Sequence, residues 1–318
     1  MRVLITGVTG FAGRHLVAHC AALGHEVHGL VRPGREDAAP APARPHALDL
    51  LDPDAVAGAL ARVRPDRVVH LAGASSVGRS FGEPLETWRA NLQGTLSLLE
   101  ALRREAPEAP AVMVSSGEIY GSVPPEGLPV GPDTPLRPLS PYGASKGAAD
   151  LAAAQYRAGY GLPLVRVRAF NHVGPGQDPR FVLPNVARQI ARAEHDGRDA
   201  VEVKVGNIET RRDFTDVRDM VRAYWLLAER GDPDATYLAC SGRSLPVRHL
   251  VEGLAPLARI PVTVTSDAGL RRAGEQPDLF GDPRRLREDT GWTPEIPLET
   301  TLRDTLDWWR ERVTHEED

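Results

Sequence analysis

A tyrosine and a lysine four positions apart form a pair that can handle protons. Tyr142 and Lys146 fall where a predicted helix begins, and residues four apart project from the same helical face. A tyrosine with a pKa of about 10 is a poor acid–base catalyst at neutral pH. A neighbouring ammonium stabilises the phenolate and lowers that pKa, so we expect this pair to exchange a proton with a bound substrate.

Lysine is rare in this chain, which makes Lys146 more informative. Only Lys146 and Lys204 are lysines among 38 basic residues. Because arginine supplies charge elsewhere, a lysine here indicates a specific role. Ser116, at the end of a predicted central strand, is placed to hydrogen-bond a substrate oxygen beside the tyrosine, and Glu118 follows two positions later.

The first sixteen residues indicate where a cofactor would bind. Val3 to Ile5 form an aliphatic run typical of a buried parallel strand, and an amphipathic helix follows. Between them the spacing G-x-x-G-x-x-G allows a tight turn, close approach of a pyrophosphate, and helix amides that face the anion. We therefore predict a dinucleotide site, in which Lys146 and Tyr142 also reach the cofactor. Its residues at the turn are Gly7, Gly10, Phe11, Ala12 and Gly13.

The end of the second predicted strand bears on the choice between NADP(H) and NAD(H). An acidic residue there accepts bonds from a free 2′-hydroxyl and indicates NAD. This chain has Val31 followed by Arg32, and a guanidinium suits a 2′-phosphate, so NADP(H) is favoured over NAD(H). Asp49 is expected to bind the adenine amino group. Three more strand-end residues are assigned to the cofactor: Leu50, Leu71 and Ala72.

Strands alternate with helices through the first half of the chain, which predicts an α/β fold with a doubly wound parallel sheet. A helix is expected over 54–63, with Asp52 as its N-cap, and residues 36–47 are expected to form a loose surface loop. The strands are predicted at 3–5, 26–31, 47–50, 67–72, 111–114 and 164–168.

Bulk properties exclude several classes of function. A net charge of −5 gives no reason to expect nucleic acid as a partner. No stretch approaches the about 20 apolar residues of a membrane span, and the chain opens on a strand, so we expect a cytoplasmic protein. Cys20 and Cys240 are predicted to be small buried residues, and no metal site is predicted.

Together these motifs resemble the extended short-chain dehydrogenase/reductases that act on nucleotide-diphosphate sugars. In that family the serine–tyrosine–lysine set handles a proton at a sugar hydroxyl or keto group, while the nicotinamide exchanges hydride with the adjacent carbon. The resemblance runs almost end to end and rests on Thr6-Gly-x-x-Gly-x-x-Gly13, His70-Leu-Ala72, Asn91-x-x-Gly-Thr95, Ser116-x-x-x-Tyr-Gly121, Tyr142-x-x-x-Lys146 and Arg211-Arg212-Asp213-Phe214.

The resemblance also implies how the chain is divided. A Rossmann-type cofactor domain is expected over residues 1–170, with a strand near 235–240 returning to its sheet. A smaller C-terminal α/β domain, residues 171–318, is expected to bind the nucleotide sugar. A homodimer is implied, formed through the helices over 91–104 and 142–160.

The second half looks most like the GDP-4-keto-6-deoxymannose reductases, close relatives of the GDP-mannose 4,6-dehydratases. By that resemblance Asn171 contacts the sugar or its phosphate, Arg212 and Arg272 contact the diphosphate, and Arg188 and Glu275 lie near the nucleoside. Ser76, in the loop after the fourth strand, is also assigned to the substrate.

Three chemistries use this framework. A C4-ketone reductase needs the serine, tyrosine and lysine with exchangeable NADPH, and it is favoured because Gly10–Leu16 and Pro138–Tyr142 look like the reductases. A 4,6-dehydratase also needs a carboxylate at C5, for which Glu118 is placed. A C4-epimerase, which holds its cofactor tightly, is the third alternative. A cofactor-sensing role without catalysis is disfavoured because Tyr142 and Lys146 are both present.

Overall fold

A computed structural model of the chain describes residues 1–267, 269 and 276–314. Strands and helices alternate from the first residues, as the sequence predicts. The elements of the first half are β1 (Arg2–Thr6), α1 (Phe11–Ala22), β2 (Glu26–Val31), β3 (Arg44–Ala47), α2 (Pro53–Val63), β4 (Arg67–His70), α3 (Val77–Gly82), α4 (Pro84–Trp88), α5 (Gly94–Glu105), β5 (Ala111–Ser116), α6 (Pro141–Tyr160) and β6 (Leu164–Ala169).

Shorter strands and five further helices make up the described second half. These elements are β7 (Asn171–Val173), α7 (Val182–His195), β8 (Val201–Val205), β9 (Arg211–Arg212), β10 (Phe214–Asp216), α8 (Val217–Arg230), β11 (Thr236–Ala239), β12 (Leu245–Pro246), α9 (Val247–Leu254), β13 (Val262–Ser266), β14 (Asp278–Leu279), α10 (Arg284–Thr290) and α11 (Leu298–Val313).

Seven of the described strands form one sheet in the order β3–β2–β1–β4–β5–β6–β11. Every neighbouring pair in it is parallel. The central strand β1 is buried on both faces, since Val3, Leu4 and Ile5 have no exposed surface. The strand order reverses between β1 and β4, and ligands of such sheets bind at the carboxyl ends of the strands beside that point.

Helices cover both faces of this sheet. On one face α2 and α5 pack with part of α6 around a core that includes Leu60 and Leu99. On the other face α1 packs against α8, with Leu16 and Tyr224 fully or almost fully buried. The predicted fold class is therefore confirmed. The returning strand is β11, which pairs in parallel with β6.

A smaller α/β lobe follows the sheet in the chain. Its core lies between α7, α9 and α11, where Leu183, Leu250 and Trp309 are buried together. The parallel pair β8–β13 extends this core, while β7 and β10 form a second two-stranded sheet. The domain boundary predicted at residue 170 falls between β6 and β7 and stays a prediction.

The third strand differs from its prediction. It spans Arg44–Ala47 rather than 47–50, so the last residues of the predicted surface loop are extended. A proline at 45 is compatible with this place because β3 is an edge strand. Residues 48–50 instead lead into α2, where Asp52 caps the helix as predicted and accepts bonds from the amides of Asp54 and Ala55.

Two further features bear on the predictions. The helix expected from residue 91 opens with a π-helical turn, Arg89–Gln93, before α5 begins. Among the helices that the structure describes, none is long and apolar enough to cross a membrane.

Candidate active site

A cleft of about 730 Å³ lies at the carboxyl ends of the central strands. The glycine turn after β1 and the segment after β5 line one side of it, together with the first turn of α6. Residues from β7, α7 and β8 line the other side. The sheet therefore brings the predicted cofactor turn and the predicted proton-handling residues into one cavity.

The glycine turn is packed too tightly to carry side chains. Gly7 has a φ of +77°, and a Cβ there would lie 2.8 Å from the amide nitrogen of Ala72. A Cβ at Gly13 would lie 2.1 Å from the Gly7 carbonyl oxygen. Gly10 is the N-cap of α1 and offers no side chain to cap it. Backbone amides thus face the cleft, and this arrangement fits a pyrophosphate.

Tyr142 lies in the first turn of α6, half-buried in the cleft, and hydrogen-bonds to Ser116. Burial raises the pKa of Tyr142 to about 12; the Ser116 bond opposes this rise and the charge of Glu118 adds to it. The predicted lowering of this pKa is therefore wrong for the protein alone. Desolvation of the phenolate is the largest effect on this pKa, so Tyr142 is a protonated phenol at neutral pH and can donate a proton.

Lys146 is buried one helical turn further along α6. Its Nζ donates to the Val114 carbonyl oxygen at 2.7 Å, and its own carbonyl oxygen accepts a bond from Ser115 Oγ at 3.1 Å. Burial lowers the pKa of Lys146 to about 8, and the carboxylate of Asp150 opposes that change. The side chain is thus mostly an ammonium at neutral pH and begins to lose its proton just above it.

A protein-family model and several known proteins match this chain over nearly its whole length. A family model described as GDP-mannose 4,6 dehydratase matches residues 4–305. The chain belongs to this family. It is 39% identical over 315 residues to GDP-6-deoxy-D-mannose reductase of Pseudomonas aeruginosa, covering 99% of each chain. It is 29% identical to GDP-mannose 4,6-dehydratase of Yersinia enterocolitica, covering 94% of this chain and 91% of that one.

A solved structure, RMD from Pseudomonas aeruginosa complexed with NADPH, has the same fold. The TM-score is 0.83 at 36% identity, and the match covers 98% of this chain and 99% of that one. The resemblance drawn from the motifs is confirmed.

Glu118 lies in the cleft beside Ser116 and Tyr142. Its backbone amide donates to Ser116 Oγ at 3.2 Å, which fixes the turn after β5. Its carboxylate accepts a bond from Gln276 Nε2 at 3.4 Å. A carboxylate at this place can act as a proton acceptor toward a bound substrate.

Most of the predicted site residues line the cleft together. Asn171 and Arg212 both line the cleft, and Arg212 donates to the Gln276 carbonyl oxygen at 2.8 Å. The other predicted residues in the lining are Gly7, Gly10, Phe11, Ala12, Gly13, Leu71, Ser116, Glu118, Tyr142 and Lys146.

Other predicted residues lie outside that lining. Arg32 is exposed after β2, and Asp49 is exposed and accepts the Leu51 amide at 3.0 Å. Ser76 accepts the Arg79 amide at 3.2 Å as the N-cap of α3. Asp49 and Ser76 have local backbone roles that the sequence pattern does not reveal.

The remaining predicted site residues also lie outside the cleft lining or outside the described residues. Leu50 packs where a Cβ on Gly94 would meet it at 3.2 Å, and Ala72 lies behind the glycine turn. The Arg188 guanidinium lies over the Trp309 ring at 5.6 Å, away from the cleft. Arg272 and Glu275 lie outside the described residues.

Sequence reasoning missed several cleft residues, among them His172, Lys204 and Asn207. The His172 ring stacks on Phe11 with centroids 5.7 Å apart, and His172 lines the cleft between the two lobes. Lys204 and Asn207 also line the cleft. The scarcity of lysine that singled out Lys146 applies equally to Lys204 and was the available signal. In the described ranges, no group of three or more His, Cys, Asp or Glu side chains could hold a metal ion.

Proposed function

We propose that this chain is an NADPH-dependent reductase of the C4 ketone of a GDP-4-keto-6-deoxyhexose. The observation that carries the proposal is the hydrogen bond between Tyr142 and Ser116 in a cleft beside a glycine turn. End-to-end identity of 39% with a GDP-6-deoxy-D-mannose reductase supports the reductase over its relatives. The NADPH bound to RMD of Pseudomonas aeruginosa supports the cofactor.

The side chains divide the proton chemistry between them. The bound nicotinamide supplies hydride to the sugar carbon. Tyr142 donates its proton to the ketone oxygen, and Ser116 Oγ holds the same oxygen by a hydrogen bond. The Lys146 ammonium then stabilises the phenolate that remains on Tyr142. A reduction needs a proton donor at this position, and Tyr142 remains protonated at neutral pH.

Two sets of residues hold the ligands in this proposal. The backbone amides at the start of α1 bind the cofactor pyrophosphate, and Arg32 binds its 2′-phosphate. Arg32 is exposed and forms no ion pair with any residue in the described ranges, so its guanidinium is available. Asn171 and Arg212 line the opposite side of the cleft and bind the nucleotide sugar.

Glu118 supports a second candidate, the 4,6-dehydratase. Its carboxylate lies in the cleft near Tyr142 and raises the pKa of that phenol. In that reaction Glu118 removes the C5 proton and assists loss of the C6 hydroxyl, while the cofactor is reduced and reoxidised within one turnover. The match to the dehydratase family model agrees with this alternative.

A homodimer formed through α5 and α6 completes the proposal. Leu151 and Tyr160 on α6 are 58% and 55% exposed, and Leu96 on α5 is 36% exposed. Such apolar side chains on two adjacent helices suit a helical interface. The cytoplasmic location stays a prediction of the sequence.

The test uses two substrates and one variant. Purified protein is given NADPH with GDP-4-keto-6-deoxymannose or with GDP-mannose, and NADPH oxidation is followed by absorbance. The reductase oxidises NADPH only with the keto sugar. Tyr142→Phe is expected to lower kcat by about 10³-fold, since it removes the general acid. Tyr156→Phe, on the same helix but bonded to Glu100, is the control and keeps its activity.

The opposite result is equally specific. Formation of a keto sugar from GDP-mannose without added reductant makes the protein a dehydratase. In that case Glu118→Gln abolishes turnover, whereas a reductase carrying Glu118→Gln still reduces the keto sugar.

A further inference from the structure

A continuous chain of buried hydrogen bonds joins the strand before the glycine turn to the helix that carries Tyr142. It begins at Thr6 on β1, whose Oγ1 lies 2.7 Å from His70 Nδ1. His70 Nε2 lies 2.9 Å from Thr95 Oγ1, and Thr95 Oγ1 donates to the Asn91 carbonyl oxygen at 2.6 Å. None of these four residues is more than 4% exposed.

The chain then crosses from α5 to α6. Asn91 Nδ2 donates to Ser145 Oγ at 2.9 Å, and Ser145 Oγ donates to the Tyr142 carbonyl oxygen at 2.9 Å. Lys146 is held from the other side, because Ser115 Oγ donates to its carbonyl oxygen. The first two turns of α6 are therefore bonded to their surroundings, at Tyr142 through Ser145 and at Lys146 directly.

The direction of every bond in the chain follows from the chemistry of its members. The single hydroxyl hydrogen of Thr95 goes to a carbonyl oxygen, so Thr95 accepts from His70 and the proton of the imidazole is on Nε2. His70 Nδ1 is then an acceptor, and the Thr6 hydroxyl donates to it while accepting from the Ala72 amide at 3.1 Å. Burial, helped by the charge of Lys146, lowers the pKa of His70 to about 3, so the imidazole stays neutral.

Two backbone features converge on Asn91. The π-helical turn Arg89–Gln93 carries it, and such turns are frequent at functional sites. Gly73 has a φ of +151°, and a Cβ there would lie 2.5 Å from Asn91 Oδ1. The loop after β4 therefore needs glycine for the asparagine to reach α6. Both features cost conformational freedom, and both serve the placement of one side chain.

We propose that this chain of hydrogen bonds positions Tyr142, with His70 and Thr95 as its central links. The proposal rests on the proposed function, because it assigns the chain a task in that reaction. The hydrogen-bond chain sets the distance between the glycine turn after β1 and the Tyr142 phenol on α6. An error of about 1 Å in such a distance lowers the rate by up to about 10²-fold.

Thr95→Val is the decisive variant. It preserves shape but removes the hydroxyl, so the His70 Nε2 hydrogen and the Asn91 carbonyl oxygen both lose their partner. We expect kcat to fall about tenfold while the Kd for NADPH, measured by fluorescence, changes by less than about twofold. The solvent isotope effect on kcat rises, because proton donation from the displaced Tyr142 becomes slower. Thr95→Ser, which keeps the hydroxyl, restores most of the activity.

Thr305→Val supplies the matched control. Thr305 is fully buried in α11 and its hydroxyl donates to the Thr301 carbonyl oxygen at 2.7 Å, but it lies outside the chain. Both valine variants are expected to lose thermal stability, Thr95→Val more than Thr305→Val because it also leaves the His70 Nε2 hydrogen without a partner. Only Thr95→Val lowers kcat and raises the solvent isotope effect. Equal loss of kcat in both variants, or wild-type kcat in Thr95→Val, overturns the proposal.

Amide hydrogen exchange over residues 141–147 provides a readout that needs no substrate. Thr95→Val is expected to speed exchange there, and Thr305→Val is not. If the wild-type protein reduces no keto sugar, the proposed function fails, and the exchange difference still decides the positioning role. Unchanged exchange in Thr95→Val refutes that role whether or not the enzyme is a reductase.

Discussion

Tyr142 and Lys146 show how burial changes what a sequence motif means. Spacing alone places both on one helical face, and the structure confirms that geometry. It also desolvates both groups, which favours the neutral form of each: the phenol of Tyr142 and the amine of Lys146. The tyrosine is thereby kept as an acid, and the lysine becomes the group that titrates near physiological pH.

The pH dependence of the reaction follows from that difference. The pKa of Lys146 lies at about 8, so below that pH the ammonium is present and kcat/KM is at its plateau. Above it the ammonium is lost, and kcat/KM for the keto sugar should fall with a slope that approaches one proton. Tyr142 stays protonated over this range because its pKa is about 12. The measurement is kcat/KM at constant ionic strength in steps across pH 8.

An activity that keeps rising well above pH 8 would contradict this assignment. It would mean that the phenolate is the working form, as expected for oxidation of a sugar hydroxyl. Lys146 would then act by holding the cofactor and not through its charge beside Tyr142.

The residues of the site were predictable where short spacing fixes the geometry. The glycine turn and the Tyr142–Lys146 pair are local, so helical and turn geometry decides their placement. The direction of the Tyr142 pKa shift was not predictable, because the burial of Tyr142 depends on residues from both lobes. Ser76 and Arg188 were placed by resemblance alone, and a helix cap and the Trp309 ring hold them in the structure.

Among the elements, the β1–α1 unit tolerates the least change. Gly13→Ala would place a Cβ 2.1 Å from the Gly7 carbonyl oxygen and 2.8 Å from Val8 Cα, both of them backbone atoms. We expect the free energy of unfolding to fall by about 1–3 kcal/mol, with loss of NADPH binding, because the turn must open to fit the methyl group. Chemical denaturation and fluorescence titration measure the two effects.

Gly58→Ala is the control for helix propensity. Gly58 lies inside α2, and an added Cβ would meet only the mobile end of Arg62 at 3.4 Å. The same substitution should raise the free energy of unfolding by about 0.5–1 kcal/mol and leave NADPH binding unchanged. If Gly13→Ala behaved like Gly58→Ala, the close packing described for the turn would be refuted.

Element types were predictable from hydrophobic periodicity, but the position of the third strand was not, and several other strand ends differ from their predictions by one or two residues. The second strand was predicted at 26–31 and the structure has Glu26–Val31. The third strand shifted because Arg44, Pro45 and His46 form an exposed edge, where little burial imposes a pattern on the sequence. The π-helical turn before α5 also leaves no periodic signal.

At the scale of the whole molecule, the proposed dimer can be tested by one charge. Leu151→Glu places a carboxylate at the centre of the exposed apolar surface on α6, and we expect the dimer to dissociate to monomers in size-exclusion chromatography with light scattering. Leu23→Glu is the control, since Leu23 is 50% exposed and follows α1 on the opposite face of the sheet. Dissociation by Leu23→Glu, or a wild-type monomer, would place the interface elsewhere or remove it.

The return of β11 to the sheet has a consequence for biosynthesis. One face of the sheet is closed jointly by α1 and α8, and one edge is completed by β11, yet α8 and β11 are both encoded after β7 to β10 of the second lobe. A ribosome that has released about 200 residues therefore presents a sheet with one apolar face only partly covered and an unpaired β6, the kind of surface that promotes misassembly. Because synthesis proceeds from the N-terminus, the seven-stranded sheet cannot be completed before the second lobe has begun to emerge. We expect nascent chains of this protein to become protease-resistant in one late step, after residue 239 has left the exit tunnel.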